Sequence, residues 1–485
     1  MSTDHATAAT EVGYRQEICS SCNAPVVSAN CSCPTCQPAK KAPAKKPNPC
    51  ATSHKNIFYL NDFSYLKDPC YSGCCLGDGL KLMPVGPCGE YGTLDVGGQL
   101  RFRYHHEKGM GQNPGLTRFQ QNSNDFLLSR MRLYSDWKVN DCVRFYAEGI
   151  YAGVTGPNDY IPRAIDENYG DLNNLFVDLK MTDSTTVRLG RQELQYGGQR
   201  LVSPLDWANT RRKFEGINIL HRQGDWATDV FYTNFVPVDA NDFDEADYDQ
   251  SFYGMYTTYS GLENASLDVY YLGYDHQANG APITTDFSLH TFGARLNGSL
   301  DDWLYEVEGG PQFGRQSGLG LDHTAGFFTA GIGRKIKQAP WNTTLWVYYD
   351  YASGNNIGGD FNRFNQLFPL AHKYLGFNDA VARSNIESPN VLLTMKPTDK
   401  LSLLLWYYHF MSNQDTDIVP SIGGTPAQST TSKDFGDELD LIATYSISPR
   451  SQILFGWSHL WAGNKIITAN RSDEDFFYTE FTLNF

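Results

Sequence analysis

The chain has 485 residues and a formal net charge of −15, and its residues are 41% hydrophobic and 14% aromatic. No stretch approaches the roughly 20 continuous apolar residues of a membrane-spanning helix, which excludes a helical membrane protein, and the acidic balance argues against a nucleic-acid partner. The 29 Tyr, 28 Phe and 44 Gly are typical of an all-β protein.

Residues 1–90 form a cysteine-rich extension. Ten of the 11 cysteines lie there, in two clusters separated by the basic, Pro- and Ala-rich stretch "QPAKKAPAKKPNPC". Two CxxC pairs have a spacing compatible with zinc, although it is shorter than usual: Cys19, Cys22, Cys33 and Cys36. Little apolar material flanks them, which favours disulfides or flexible thiols outside the cytosol. We therefore expect a linker-like extension without a metal or cofactor.

The first residues, "MSTDHATAATEVG", lack the basic start and the apolar run of a signal peptide. If the protein is exported, this start is that of a mature form with a new initiator Met. The alternative is that export is the wrong interpretation, and the rest of the chain has to decide between the two.

From residue 91 to 485 the sequence alternates in polarity over segments of about ten residues, as in a transmembrane β-barrel. The pattern predicts about 18 strands, starting near residues 91, 125, 143, 173, 185, 214, 226, 250, 265, 286, 302, 323, 342, 385, 400, 436, 450 and 475. The last segment, "DFFYTEFTLNF", alternates up to Phe485, as expected of a strand that closes a barrel.

The connections between these strands alternate in length. Tight turns such as "VND" (139–141), "TDS" (182–184) and "QGD" (223–225) are each followed by a longer connection. This alternation predicts periplasmic turns and extracellular loops. A β-propeller would instead repeat about every 40 residues, and no such period is present.

Strand parity places the charged side chains on one face. In "GQLRFRYHH", Phe102 and Tyr104 alternate with Arg101 and Arg103. A charge facing lipid would cost about 2 to 4 kcal/mol at the midplane, so these charges are expected to face the lumen. A soluble sheet with one solvated face would alternate in the same way without the loop pattern. The predicted pore-lining residues are Arg101, Arg103, Arg130, Arg132, Arg144, Glu148, Asp178, Lys180, Arg188, Arg191, Arg295, Glu306, Glu308, Asp350, Glu438 and Asp440.

The stretch "VRLGRQELQYGGQRLVSPLDWANTRRKFEGINI" resembles the signature of the alginate export family, as do "YDYASG" (349–354) and the long segment "FNQLFPLAHKYLGFNDAVARSNI". The resemblance covers residues 91–485. It implies a monomeric, eighteen-stranded barrel in the bilayer of the bacterial outer membrane, inserted by the barrel-assembly machinery. The extension enters the first strand on the side of the short turns, so we expect it to lie in the periplasm. It also implies loops that partly cover the pore, with candidate loop or lid residues Arg200, Trp207, Arg211, Arg212, Phe368, His372, Tyr374 and Arg383.

The resemblance implies a channel for an anionic polysaccharide or oligosaccharide such as alginate, with lumen arginines acting as weak successive sites for carboxylates. The lumen acids and the cysteine-rich extension depart from the family pattern. A general or small-anion porin is therefore an alternative, because a fold does not fix a function. A hydrolase built on Glu306 and Glu308 ranks last, because no Ser-His-Asp grouping or H-E-x-x-H motif is present, and we expect no enzyme.

Two further features carry expectations. Residues 355–383 contain too many aromatic and apolar side chains for a solvated tether, so we expect a lid that folds over or into the pore. Cys142, the barrel cysteine, lies in a short turn and has two possible states. It is either linked to a cysteine of the extension or free, with the second cluster paired within itself: Cys70, Cys74, Cys75 and Cys88.

Overall fold

The computed structural model describes residues 48–69, 71–73, 75–277, 286–356, 358–422 and 424–485. Over these ranges, none of the helices has the length and apolar character needed to cross a membrane. The helices are about one turn long: Pro49–Thr52, Phe58–Leu60, Ser64–Lys67, Asp78–Leu80, Ser317–Leu319 and Ala371–Lys373. The candidate zinc residues Cys19, Cys22, Cys33 and Cys36 lie outside the described residues.

Strands make up most of the described chain. They are β1 (Met83–Pro84), β2 (Thr93–Lys108), β3 (Ser123–Lys138), β4 (Val143–Thr155), β5 (Asn168–Lys180), β6 (Thr185–Gln192), β7 (Lys213–Gln223), β8 (Trp226–Val236), β9 (Asp247–Tyr259), β10 (Ala265–His276), β11 (Phe287–Leu300), β12 (Trp303–Gln316), β13 (Leu321–Lys335), β14 (Thr344–Ala352), β15 (Ile386–Met395), β16 (Leu401–Met411), β17 (Asp434–Ser448), β18 (Ser451–Ala462) and β19 (Glu474–Asn484).

Strands β2 to β19 form a closed antiparallel barrel of 18 strands, which confirms the predicted fold. Each strand pairs with its neighbours in the chain, and β19 pairs with β2, for example Thr482 with Arg101. The two-residue β1 only extends the edge next to the start of β2. The last strand therefore closes the sheet, as its alternation predicted.

The predicted strand starts lie close to the observed ones. The largest difference is at β5, predicted near residue 173 and observed at Asn168. The pairing of β5 with β4 shifts register at two places, and Gly170 has a φ of 114°. These irregularities interrupt the period of two, so polarity did not reveal the first residues of the strand.

Short and long connections alternate around most of the barrel. The end of the barrel that carries the short connections and the start of β2 is called the turn end below, and the opposite end the loop end. One loop-end connection was wrongly expected to be long, because β12 and β13 are joined by the four residues 317–320. Gly320 closes this connection with a φ of 70°, a conformation that glycine adopts without a steric penalty.

The two faces of the barrel differ as parity predicted. On β2, Phe102 is 44% exposed on the outside, whereas Arg101 and Arg103 are 3% and 2% exposed on the inside. The outer surface is a band of exposed Leu, Ile, Val, Phe and Tyr side chains, whereas many charged side chains are buried within the barrel. An apolar exterior and a polar interior are the arrangement that a lipid bilayer requires.

Residues 48–69, 71–73 and 75–82 are together called the N-terminal segment below, and part of this segment enters the lumen from the turn end. Phe58 and Tyr59 are buried in a cluster with wall residues of β3, β4 and β5. The ring of Tyr59 lies 5.2 Å from that of Phe176, and the ring of Phe58 lies 5.4 Å from that of Tyr134. Aromatic packing of this kind stabilises the segment inside the barrel.

The cysteines settle the two states left open for Cys142. Cys50 and Cys75 form a disulfide that closes a loop across the N-terminal segment, with their Cα atoms 5.6 Å apart. Cys88 is also disulfide-bonded, whereas Cys142 is an exposed free thiol. The covalent link between Cys142 and the extension therefore does not form. The expectation that the second cluster pairs within itself is also wrong, because Cys75 pairs with Cys50, which lies outside that cluster. A disulfide that closes a loop of this length stabilises the folded state by about 3 kcal/mol. It therefore holds two distant parts of the N-terminal segment together.

Candidate functional site

Four arginines of β2 and β3 form one patch on the inner wall. Arg101 pairs directly with Arg130, and Arg132 pairs with Gln99 two residues along the same strand face. All four, including Arg103, are at most 3% exposed. Buried like charges repel each other, so the patch requires acceptors that the wall strands alone do not supply.

Most of these acceptors come from residues 193–212, called the inner loop below, which joins β6 to β7. Arg101 donates to the backbone oxygens of Asp206 at 2.7 Å and Ala208 at 2.6 Å, and Arg130 donates to the oxygen of Ala208 at 3.1 Å. Arg103 donates to the oxygen of Trp207 at 2.8 Å. Three consecutive carbonyl groups thus occupy the arginine patch.

Carboxylates contribute less to this patch. Glu480 lies 3.7 Å from Arg101 and 3.4 Å from Arg103, and the Asp206 side chain lies 3.0 Å from Arg130. Burial alone would raise the pKa of Asp206, but Arg211, Arg130 and Arg101 outweigh it and hold that pKa well below its usual range. Asp206 is therefore ionised, and its negative charge in the patch is contributed by the inner loop.

Trp207 of the inner loop lies between the Arg103 guanidinium and the ring of His372. The Arg103 guanidinium lies 3.6 Å from the centre of its ring, and the ring of His372 stacks on it at 3.5 Å. Its indole nitrogen donates to Asp379 at 3.0 Å, the same oxygen that lies 3.0 Å from His372. This stack joins the inner loop to residues 355–383, called the lid segment below.

The space around this stack is small. Arg103, Arg118, Arg163, Trp207 and Asp379 are among the residues that line a cavity of about 20 Å³. A cavity of this volume has room for about one water molecule. This cavity is therefore too small for a sugar ring.

A second ionic cluster lies closer to the turn end. Arg132 contacts Glu148 at 2.7 Å and Glu193 at 3.8 Å, and Arg211 of the inner loop is also ion-paired with Glu193. Arg132 also lies 3.9 Å from the ring of Phe58. The N-terminal segment reaches the same cluster, because the Tyr59 hydroxyl donates to the backbone oxygen of Glu193 at 2.7 Å.

The remaining predicted arginines of this side are paired with acids of neighbouring strands. Arg144 contacts Asp136 at 2.7 Å, Arg188 contacts Asp178 at 2.7 Å, and Arg191 contacts Asp171 at 3.2 Å. Arg188 also lies 4.3 Å from the ring of Tyr59, and Arg144 donates to the Tyr59 backbone oxygen at 2.7 Å. Lys180 differs, because it lies at the exposed end of β5, 3.2 Å from Asp183.

On the opposite wall the predicted acids hold the arginines of the loops. Arg200 of the inner loop contacts Glu306 at 2.8 Å and Glu308 at 3.1 Å, and Arg295 contacts Glu306 at 2.8 Å. Farther along the wall, Arg383 of the lid segment contacts Asp350 at 2.8 Å. The mixed charge of the lumen therefore consists of ion pairs within the wall and of ion pairs between the wall and the loops.

The apolar part of the lid segment packs against the inner wall. Phe368 is buried among wall rings that include Phe214 at 5.0 Å and Phe252 at 4.9 Å. Arg212 lies 5.5 Å from the Phe368 ring, and Tyr374 covers Arg200 at 4.2 Å. The segment that was expected to fold over or into the pore thus lies inside the barrel. Glu438 and Asp440 lie beneath it.

Sequence reasoning missed several partners. Glu107 and Glu480 face inward on β2 and β19, and the parity that selected Arg101 and Arg103 could have found both. Glu193 and Asp206 had no such signal, because they lie in the inner loop, where no strand period applies. Arg118 has none either, and its contact with Glu474 joins a loop to the wall.

The buried cluster around Arg132 gives a stability prediction. Replacing Arg132 with Met leaves Glu148 and Glu193 buried with one cation fewer, so we expect the free energy of unfolding to fall by about 3 to 5 kcal/mol. Arg315→Met is the control, because Arg315 and Asp322 are 54% and 68% exposed and their pair is worth less than about 1 kcal/mol. Urea unfolding from lipid vesicles measures the free energy of unfolding of both variants. Equal losses of stability in the two variants would contradict a special role for the buried cluster around Arg132.

Solved structures of similar fold are bacterial porins. The chain is 12% identical to Pseudomonas aeruginosa OccD3 (OpdP), with a TM-score of 0.54 over 80% of this chain and 91% of that one. It is 11% identical to Pseudomonas aeruginosa OpdK with vanillate, with a TM-score of 0.54 over 81% and 98%. It is 14% identical to a BenF-like porin from Pseudomonas fluorescens Pf-5, with a TM-score of 0.56 over 81% of this chain and 99% of that one. At these identities the likeness shows the fold alone.

No curated protein matches the sequence. The sequence model of the family described as "Alginate export" matches residues 93–479, which is nearly the whole barrel. Together with the porin-like fold, this match indicates a bacterial outer-membrane channel through which a substrate passes, and a transport role in preference to an enzyme. The chain belongs to the alginate export family.

Proposed function

We propose that the barrel passes an anionic polysaccharide or oligosaccharide, of the alginate class, along the inner-wall arginines. The observation that carries this proposal is the way in which Arg101, Arg103 and Arg130 are satisfied. The shortest contacts of Arg101 and Arg103 are neutral backbone carbonyls of the inner loop. Arg130 donates to the Gln99 side-chain oxygen at 2.7 Å, to the Asp206 carboxylate of the inner loop at 3.0 Å and to the Ala208 carbonyl at 3.1 Å, so it has no wall carboxylate either. Most other lumen arginines are held by wall carboxylates. Carbonyl oxygens are weaker partners for a guanidinium than a carboxylate is.

The charge of this patch changes when the inner loop withdraws. With the loop in place, three arginines face Glu480 and Asp206, and without the loop they face Glu480 alone. Buried guanidinium groups without partners are unstable, so the open patch favours an incoming carboxylate. A uronate chain carries carboxylates along its length, and successive weak sites allow it to move on.

The alternatives fit these contacts less well. A small-anion porin would use the same arginines, but it gains nothing from a patch that several carboxylates can occupy at once. For a hydrolase, Glu306 and Glu308 would have to serve as the acid and base, and both are ion-paired to Arg200. Neither is placed opposite a second free carboxylate.

We also propose that the N-terminal segment lies on the periplasmic side and closes the pore there. It packs among Tyr134, Tyr146 and Phe176, all of which lie near the turn end of the barrel. It meets the inner loop through the hydrogen bond of Tyr59 to Glu193. Passage of a polymer therefore requires both the inner loop and the N-terminal segment to leave the lumen.

Single-channel recording in planar bilayers tests the solute class. We expect an anion-selective conductance that uronate oligomers block and that neutral oligomers of the same length do not. Arg101→Gln combined with Arg130→Gln should weaken both selectivity and block, because the wall keeps its shape but loses two charges. Arg315→Gln, at an exposed loop-end site, is the control. Cation selectivity and indifference to uronates would contradict the proposal while leaving the fold intact.

His54 gives a prediction about closure by the N-terminal segment. Both ring nitrogens of His54 are buried without a partner, next to Phe58 and Phe63. Burial, with smaller effects from Arg450 and Lys81, lowers the pKa of His54 to about 3. When the segment is released, His54 binds a proton with the ordinary pKa of about 6.5. The free energy of docking therefore becomes less favourable as the pH falls from 6.5 towards 3, by up to about 1.4 kcal/mol per pH unit.

We therefore expect the open probability of the channel to rise as the pH falls from 7 to 4. His54→Phe should remove most of this rise, because phenylalanine fills the same apolar site and takes up no proton. His106→Phe is the control, since His106 is exposed beside Asp125 on the outer face. An identical pH dependence in the wild type and in His54→Phe would show that His54 does not couple the pH to closure.

A further inference from the structure

Two acids of β17 lie together on the inner wall with no cation beside them. Glu438 and Asp440 are both fully buried. They alternate along the strand, so their side chains point to the same face. In the neighbouring strands, Tyr408 pairs with Glu438 and Ser458 pairs with Asp440, and both of these residues are fully buried as well. The four side chains form one continuous polar patch.

The lid segment covers this patch with its backbone. The amide of Phe377 donates to Asp440 Oδ2 at 3.3 Å, and the amide of Asn378 donates to Glu438 Oε1 at 2.9 Å. Gly376 has a φ of 84°, and a Cβ there would lie 2.4 Å from Glu438 Oε2. Only glycine therefore allows the lid segment to approach the carboxylate so closely.

Each of these polar groups keeps an atom without a partner. Among the described residues, Glu438 Oε2, Asp440 Oδ1, the Tyr408 hydroxyl and the Ser458 hydroxyl make no hydrogen bond, and neither does either amide atom of Asn378. No Lys, Arg or His of the described chain is ion-paired with Glu438 or Asp440, whereas Glu148, Glu308 and Asp350 each contact an arginine. Two adjacent buried carboxylates without compensation are strongly unfavourable.

We propose that Glu438 and Asp440 bind a calcium ion between the inner wall and the lid segment. The available donors are oxygens of carboxylate, amide and hydroxyl groups, which are the ligands that hard cations prefer. Mg²⁺ keeps several water molecules in a rigid octahedron, whereas Ca²⁺ accepts six to eight oxygens in a flexible arrangement, which suits a dry and irregular site. No group of three His, Cys, Asp or Glu suited to a metal occurs in the described chain, so here neutral oxygens complete the donor set.

The ion would give the lid segment an anchor that its backbone amides do not provide alone. It would neutralise the two carboxylates and accept the Asn378 amide oxygen from the lid segment as a further ligand. Removal of the ion would restore the repulsion between Glu438 and Asp440 beneath Gly376 and so loosen the lid segment. Calcium binding at this site does not depend on which solute the channel passes.

A proton shared between Glu438 and Asp440 is the alternative way to reduce the charge of the pair. Measuring calcium binding to the full chain distinguishes this alternative from a bound ion. Protein purified in detergent is stripped with EDTA, dialysed and titrated with ⁴⁵Ca²⁺ by equilibrium dialysis. We expect about one tightly bound ion per chain, and a lower melting temperature in EDTA. The variant with Glu438→Gln and Asp440→Asn should lose both effects. Asp437→Asn is the matched control, because Asp437 lies in the same strand and is partly exposed beside His409.

A local readout keeps the test valid if the double variant fails to fold. Tb³⁺ replaces Ca²⁺ and luminesces when a nearby indole is excited, and Trp406 pairs with Asp440 in the adjacent strand. We expect Trp406→Phe to weaken this luminescence while it still binds ⁴⁵Ca²⁺; the remainder comes from Trp207, whose indole donates to Asp379 next to Asn378. The proposal is overturned if the wild type binds no calcium, if the double variant binds as much as the wild type, or if Trp406→Phe keeps the full signal.

Discussion

A guanidinium group inside a protein needs an anion or several acceptor oxygens, because its hydration is lost and its charge cannot be removed near neutral pH. This requirement governs the interior of the barrel. The wall strands place arginines inward by parity, and the wall supplies too few carboxylates around Arg101, Arg103 and Arg130. The missing acceptors come from Asp206, Trp207 and Ala208, and the inner loop is therefore drawn into the lumen.

The same requirement links the other segments to the wall. Arg200 and Arg383 of the loops find Glu306 and Asp350 on the wall, with the charges reversed relative to the arginine patch. The N-terminal segment adds apolar rings over Arg132 and Arg188 at the turn end. Each segment thus contributes the charges, acceptor oxygens or aromatic rings that the side chains of the facing wall need as partners. A solute that carries carboxylates competes with the segments for the wall arginines.

Parity made the barrel and its inward charges predictable, because a strand has a strict period of two and lipid tolerates few charges. The strand starts, the closing strand and the inner position of Arg101 and Glu306 follow from it. The packed interior did not follow, because Glu193 and Asp206 lie in a loop without a period, and their partners are distant in sequence. The docking of Phe58 and Tyr59 also escaped prediction, since the cysteines of residues 1–90 suggested a linker.

Hydrogen–deuterium exchange of the intact protein in lipid vesicles tests most directly whether these segments occupy the lumen. The amides of Leu60, Asn61, Ala208 and Asn209 are hydrogen-bonded inside the barrel. Local opening sets their exchange, so a docked segment protects them as strongly as the strands are protected. We expect these four amides to exchange as slowly as those of β2. Exchange as fast as in the exposed turn at residues 224–225 would contradict a lumen filled by the inner loop and the N-terminal segment.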